Sequence, residues 1–102
     1  MDHDFKFFIR EALRKEQGYK CFYCERGFGK TKLTHCTIDH VQPLSRGGTE
    51  DWDNLVAACY RCNQLKGNMD YAEFAEFCRG LTKSKLESLT NKISKGKYLN
   101  IV

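Results

Sequence analysis

No apolar run in this sequence approaches the roughly 18–20 residues that span a bilayer, which removes a membrane-crossing helix from the options. The opening stretch, MDHDFKFFIREALRKEQ, is charged throughout and lacks the shape of a secretory signal. A soluble, cytoplasmic protein is therefore expected, with no membrane partner. Proline occurs once, at Pro43, and histidine three times, at His3, His35 and His40. There is no low-complexity tract and no internal repeat of about 20 residues or more, so neither a disordered linker nor a solenoid is indicated.

What the sequence does have is cysteine. Six fall at Cys21, Cys24, Cys36, Cys59, Cys62 and Cys78, forming two C-x-x-C pairs 34 residues apart and two singles. A reducing compartment argues against a disulfide framework. Thioredoxin-like redox chemistry uses one C-x-x-C at the start of a helix in a βαβ pattern, which is not the pattern here. Two such pairs suit a tetrahedral structural Zn²⁺ with Cys21, Cys24, Cys59 and Cys62 as ligands, each tight turn supplying two thiolates. Cys36 and Cys78 are expected to be small buried apolar residues.

The metal also answers a problem of size. At 102 residues, with 41% apolar and 13% aromatic side chains, the chain reads as one globular domain near the small end of what buries its own core. Zinc binding adds folding energy directly. Four thiolates and one Zn²⁺ also lower the formal net charge of +4 to about +2. The positive excess sits at the C-terminal end, where residues 79–102 carry +5. Such a tail suits a phosphate backbone, although a solvated basic helix explains the same charge.

Along the chain, Phe5, Phe8, Ile9, Ala12 and Leu13 form the stripe of an amphipathic helix over residues 4–17, with Gly18 placed to end it. YKCFYCERGFGK is the first zinc knuckle. LTHCTID reads as a short strand, and 41–53 as a loop of unusual length for a compact domain, holding Pro43, Gly47, Gly48 and an acidic cluster. NLVAAC is a second strand, and YRCNQLKGN a helix of two turns closing at Gly67. Asp70 with Glu73 resembles a capping box before a helix that places Tyr71, Phe74 and Cys78 on one face. Ser84 with Glu87 repeats the signal before Leu86, Leu89 and Ile93. Both C-terminal helices are expected to be packing elements.

A hairpin crossed by a helix brings the end of the first strand beside Asn63 and Lys66, which lie three residues apart on one side of that helix. Asp39 then offers a carboxylate and Asn63 an amide oxygen, hard ligands suited to Mg²⁺ or Mn²⁺. His40, on the other side of the strand, is left free to accept a proton from water.

The run IDHVQPLSRGGTEDWDNLVAACYRCNQLKGN resembles the HNH endonucleases of the ββα-metal superfamily, in the subgroup with two C-x-x-C zinc knuckles. The resemblance covers residues 19–68 and joins Asp-His, Pro, Gly-Gly, Asn-Leu-Val, C-x-x-C-Asn and Lys-Gly in one order. It implies an α+β fold: a two-stranded antiparallel hairpin plus helix with a four-cysteine zinc site. An N-terminal helix (1–18) and a C-terminal helical extension with a basic tail (69–102) would flank it in a single domain.

By the same resemblance Asp39 would be a ligand of the catalytic metal, His40 the general base and Asn63 the second metal ligand. Asn54 would brace the loop that aims His40, and Lys66 would contact substrate phosphate. Asp and Asn stand where many members have outer histidines, which favours Mg²⁺ or Mn²⁺ over a softer catalytic ion. The implied activity is hydrolysis of DNA phosphodiesters, one strand per site, leaving 5′-phosphate and 3′-hydroxyl ends. The rival reading is a zinc-stabilised nucleic-acid-binding or interaction module without catalysis.

DNA is the expected partner. Monomer, homodimer and membership of a larger nuclease or packaging complex all stay open. His35 shares a strand face with residues 37 and 39 but is expected to fill a surface or core role, and His3 none. Arg46, Arg61, Lys30 and Lys32 have only their charge to suggest phosphate contacts. Phe22, Tyr23 and Trp52 are expected to pack the knuckle and loop.

Overall fold

The computed structural model of the chain describes residues 3–94. Its elements are α1 (His3–Glu16), β1 (Cys36–His40), β2 (Leu55–Cys59), α2 (Tyr60–Lys66), α3 (Tyr71–Arg79) and α4 (Lys83–Ser94). The two strands pair antiparallel, with Cys36 opposite Cys59, Ile38 opposite Ala57 and His40 opposite Leu55. This α+β arrangement is the expected hairpin and crossing helix with helices on either side. Of the expected basic tail, residues 79–94 run from the end of α3 through α4, and 95–102 lie outside the described residues.

All five residues of β2 are buried, because helices cover both of its faces. On one face Leu55 and Ala57 meet Leu13 and Ile9 of α1. On the other, Ala58 joins Cys62, Leu65, Phe74, Leu89 and Ile93 from the three later helices, a cluster that Cys59 at the strand's end also enters. Burial on both sides explains why the strand reads as a continuous apolar run instead of alternating.

Its free edge is closed by a side chain. The Gln17 amide donates to Ala57 O and accepts from Ala57 N, both at 2.9 Å, and Phe22 N donates to Ala57 O at 3.0 Å. These bonds satisfy backbone groups that an open strand edge would leave bare.

Helix α1 ends as expected at Gly18, which takes φ +68°. Gly18 N donates to Lys15 O and Tyr19 N to Arg14 O, the paired bonds of a Schellman motif. Its apolar stripe departs from expectation. Leu13 is buried and Ile9 half-buried, but Phe5 and Phe8 are 57% and 68% exposed. A 14-residue helix is about 21 Å long, and only its C-terminal half meets the two-stranded sheet.

Other expectations are corrected in the C-terminal helices. The Asp70–Glu73 capping box is present in full. Helix α4 is instead capped at Thr82, whose Oγ1 accepts from Lys85 N at 3.1 Å, so Ser84 falls inside the helix. On α3, Phe74 is buried, while Tyr71 and Cys78 are exposed. Cys78 is therefore not a core residue; Cys36, half-buried against the α1 cluster, comes closer to one.

The loop between the strands contains two short 3-10 turns, Leu44–Arg46 and Trp52–Asn54. Gly47 adopts φ +88°. At Gly48 a Cβ would stand 1.8 Å from Gln42 O, so only glycine lets the loop close on itself.

Candidate active site

Two constellations of polar and thiol side chains flank the sheet. The first is the cysteine cluster. Cys21 and Cys24 come from the knuckle closed by the Lys20–Gly27 bridge; Cys59 and Cys62 come from the end of β2 and the first turn of α2. Their four Sγ atoms lie within 4.8 Å of one another. A tetrahedral Zn²⁺ with Zn–S of about 2.3 Å places its sulfurs about 3.8 Å apart, and Cys24 Sγ stands 3.9 Å from Cys59 Sγ. Cys21 Sγ also accepts from Tyr23 N and Cys59 N, bonds that favour a thiolate.

The titration of the cluster points the same way. Bonds from Cys59 and Cys62 pull the Cys21 thiol far below its usual range. The same bond to Cys21 pushes Cys59 up to about 12, and bonds to Cys21 and Cys59 together with burial push Cys62 further still. So many sulfurs this close cannot all ionise without a cation among them. The donor set and its spacing fit zinc.

The second constellation lies in a cleft of about 690 Å³ along the outer edge of β1, between α1 and α2. It is lined by Asp39, His40, Glu50, Asn63 and Gln64, among others. Asp39 is fully buried. Its Oδ2 accepts from the Tyr23 hydroxyl and faces Lys66 Nζ at 3.3 Å, whereas its Oδ1 has no hydrogen-bond partner. Burial raises the Asp39 carboxyl above its usual range, opposed by the Tyr23 bond and the Lys66 charge. Burial and the Asp39 charge push the Tyr23 phenol far upward, so it stays a donor.

Asn63 repeats the pattern. Its Nδ2 donates to Thr37 Oγ1 at 2.9 Å and lies 3.4 Å from Ile38 O, which fixes the amide, while Oδ1 is buried and unpartnered. Two orphaned acceptor oxygens, a carboxylate and an amide, are the donor chemistry a hard divalent cation takes. The residues present fit such an ion.

His40 is held at both ends. Its carbonyl accepts from Lys66 Nζ at 2.9 Å, and its Nε2 lies 2.9 Å from Glu50 Oε2. Asn54 ties the loop between them. Its Oδ1 accepts from Gln42 N at 2.9 Å, and its Nδ2 donates to Gln42 O at 3.0 Å and Thr49 O at 2.8 Å. Glu50 follows directly after Thr49, so these bonds also set the carboxylate that meets His40.

Lys66 departs from the sequence expectation. It is 1% exposed and wholly engaged with Asp39 and the His40 carbonyl, so it does not reach a substrate phosphate. Arg46 is likewise spent on Glu73 and the Asn68 carbonyl. His35 stacks on Tyr60, with ring centroids 5.1 Å apart, and His3 is exposed on α1. Phe22 and Tyr23 pack against Tyr71 of α3, and Tyr23 also against Phe74, while Trp52 is half-exposed on its turn.

The sequence reading missed three participants. Tyr23 was signalled only by lying between two ligands, Glu50 only by belonging to an acidic cluster. Gln64, buried in the cleft wall with an unpartnered Oε1, had no signal at all.

Residues 21–69 match the family described as HNH endonuclease. Two curated relatives are similar, both CRISPR-associated endonuclease Cas9. The protein from Corynebacterium diphtheriae is 36% identical over 63 residues, and that from Actinomyces naeslundii is 38% identical over 72. These alignments cover 61% and 69% of this chain, and the chain spans only 6% of the length of either relative. Among solved structures, the Type II-C Cas9 enzyme from Actinomyces naeslundii superposes with a TM-score of 0.62 at 25% identity, over 86% of this chain and 12% of that one. No helix among the described residues is long and apolar enough to cross a membrane.

Proposed function

Because residues 21–69 belong to the HNH endonuclease family, we propose that this chain is a metal-dependent DNA endonuclease in which the cleft beside β1 hydrolyses phosphodiester bonds. The observation that carries the reading is the pair of orphaned oxygens, Asp39 Oδ1 and Asn63 Oδ1, in a cleft that His40 also lines. Asp39 and Asn63 would hold Mg²⁺ or Mn²⁺, and Cys21, Cys24, Cys59 and Cys62 a structural Zn²⁺. A divalent cation bound there supplies a Lewis acid for the charge that builds on phosphorus and on the departing 3′ oxygen.

The protein's own groups set the rest. His40 donates Nε2–H to Glu50 and so keeps Nδ1 as the free lone pair that takes a proton from the attacking water. The resulting imidazolium stays paired with the Glu50 carboxylate. Lys66 and Tyr23 saturate Asp39 Oδ2, which leaves Oδ1 as the ligand atom, and both oppose the upward shift that burial imposes on the carboxyl. Asn54 and Lys66 are positioning residues: one fixes the loop carrying Glu50, the other the His40 backbone. Residues 19–68 form the working core, with 1–18 and 69–102 as flanking parts of one domain.

One base and one catalytic metal site cut one strand at a time. Supercoiled plasmid incubated with zinc-loaded protein and Mg²⁺ or Mn²⁺ should relax to open circles that DNA ligase reseals, as 5′-phosphate and 3′-hydroxyl ends require. Plasmid left intact in every divalent ion contradicts the proposal and leaves a binding module instead.

A further inference from the structure

The cleft beside β1 has a second bank that lies outside the family's matched segment. Helix α1 places Lys6 and Arg10 in its wall, across from Tyr60 and Asn63 of α2. The two cations are four residues apart and share a helix face. Neither forms an ion pair with a carboxylate among the described residues; Arg10 only overlies the Phe7 ring, at 5.8 Å.

A second cavity of about 420 Å³ continues from the first, sharing Arg10, His35 and Cys36 with it and reaching Arg14 and Phe28. The groove therefore runs past Asn63, along the β1 edge and beside α1. At its midpoint the His35 ring lies stacked on Tyr60, an aromatic surface in the wall. Cations at helical spacing, unpaired among the described residues, along a groove with an aromatic wall are the features that take a nucleic-acid backbone and its bases.

Resting on the proposed nuclease reading, we infer that Lys6 and Arg10 of α1 are the phosphate clamp that seats the scissile DNA strand, with His35 and Tyr60 as a base-stacking platform. The cations suggested by sequence alone do not supply this. Arg46 is tied to Glu73, and Lys30, Lys32 and Arg61 line neither cavity. Helix α1 suits the task because Leu13 and Ile9 anchor it on the hairpin, so Arg10 moves with the strand that carries Asp39 and His40.

The test is the salt dependence of DNA binding by the full chain, measured by fluorescence anisotropy on a labelled DNA duplex in Ca²⁺, alongside plasmid nicking in Mg²⁺. Removing two phosphate contacts should make the slope of log affinity against log salt shallower by about 1.8. We expect this for Lys6→Gln/Arg10→Gln, with KM for plasmid raised and kcat little changed. Lys6→Arg/Arg10→Lys should keep the wild-type slope, as should Lys30→Gln/Lys32→Gln. A wild-type slope and KM in the first double variant, with wild type binding normally, overturns the clamp and spares the nuclease reading. Wild type that neither binds nor nicks overturns both.

Discussion

A buried ammonium beside a buried carboxylate is tolerable only while each has the other. Lys66 and Asp39 are such a pair, and the Lys66 side chain reaches across the sheet end to the His40 carbonyl as well. Removing one partner of a buried pair costs roughly 3–5 kcal/mol, because the remaining charge is stranded. Lys66→Met should therefore lower stability by about that much in urea denaturation of the zinc-loaded protein without Mg²⁺. A loss below about 0.5 kcal/mol would show that the pair does not hold the strand end. From sequence, Asn63 and Lys66 could be placed on one helix face, but the depth of that face could not. A lysine in a short polar helix reads as solvated; only the cover of β1 and the later helices seals it.

At the scale of elements, the loop between the strands decides where His40 and its carboxylate partner stand. Two backbone constraints set its shape: the Asn54 amide, bonded to Gln42 and Thr49, and the absence of a side chain at Gly48, which packs against Gln42 O. Gly48→Ala forces the loop open without touching the cysteines. Nicking should fall by about 100-fold, the order expected when a catalytic group is misplaced by an ångström, while zinc content stays at wild type. Normal nicking in Gly48→Ala would mean that loop shape does not govern the site.

The strands, the helices and one capping box were legible because periodicity and turn chemistry are local signals. The exposed Phe5 and Phe8 and the exposed Cys78 were not, because a stripe marks what can be buried and only the extent of the sheet and helices decides what is. Gln17 closing the β2 edge was equally hidden: its partner Ala57 is 40 residues away.

For the whole molecule, the zinc cluster joins the knuckle to β2 and α2, and the larger core cluster forms around Cys21, Cys59 and Cys62. In the metal-free cluster Cys21 carries the charge, while Cys59 and Cys62 are pushed up and hold their protons at neutral pH. Zinc must displace those protons, so its affinity rises with pH. Displacing the Cys59 and Cys62 protons alone should change the apparent affinity by about 100-fold per pH unit near neutrality. Competition with a chromophoric chelator across that range measures the slope, and a pH-independent affinity would contradict the ligand set. Chelation should also unfold the chain, read as loss of helical circular dichroism.

The most direct measurement of the catalytic proposal is the single-turnover rate of plasmid nicking by wild type and by His40→Ala, each with one zinc per chain, in Mg²⁺ or Mn²⁺. A general base contributes about 10²–10⁴-fold, so His40→Ala should nick slower by at least about 100-fold at unchanged DNA affinity. Equal rates in the two proteins would contradict a cleft in which His40 takes the proton from water.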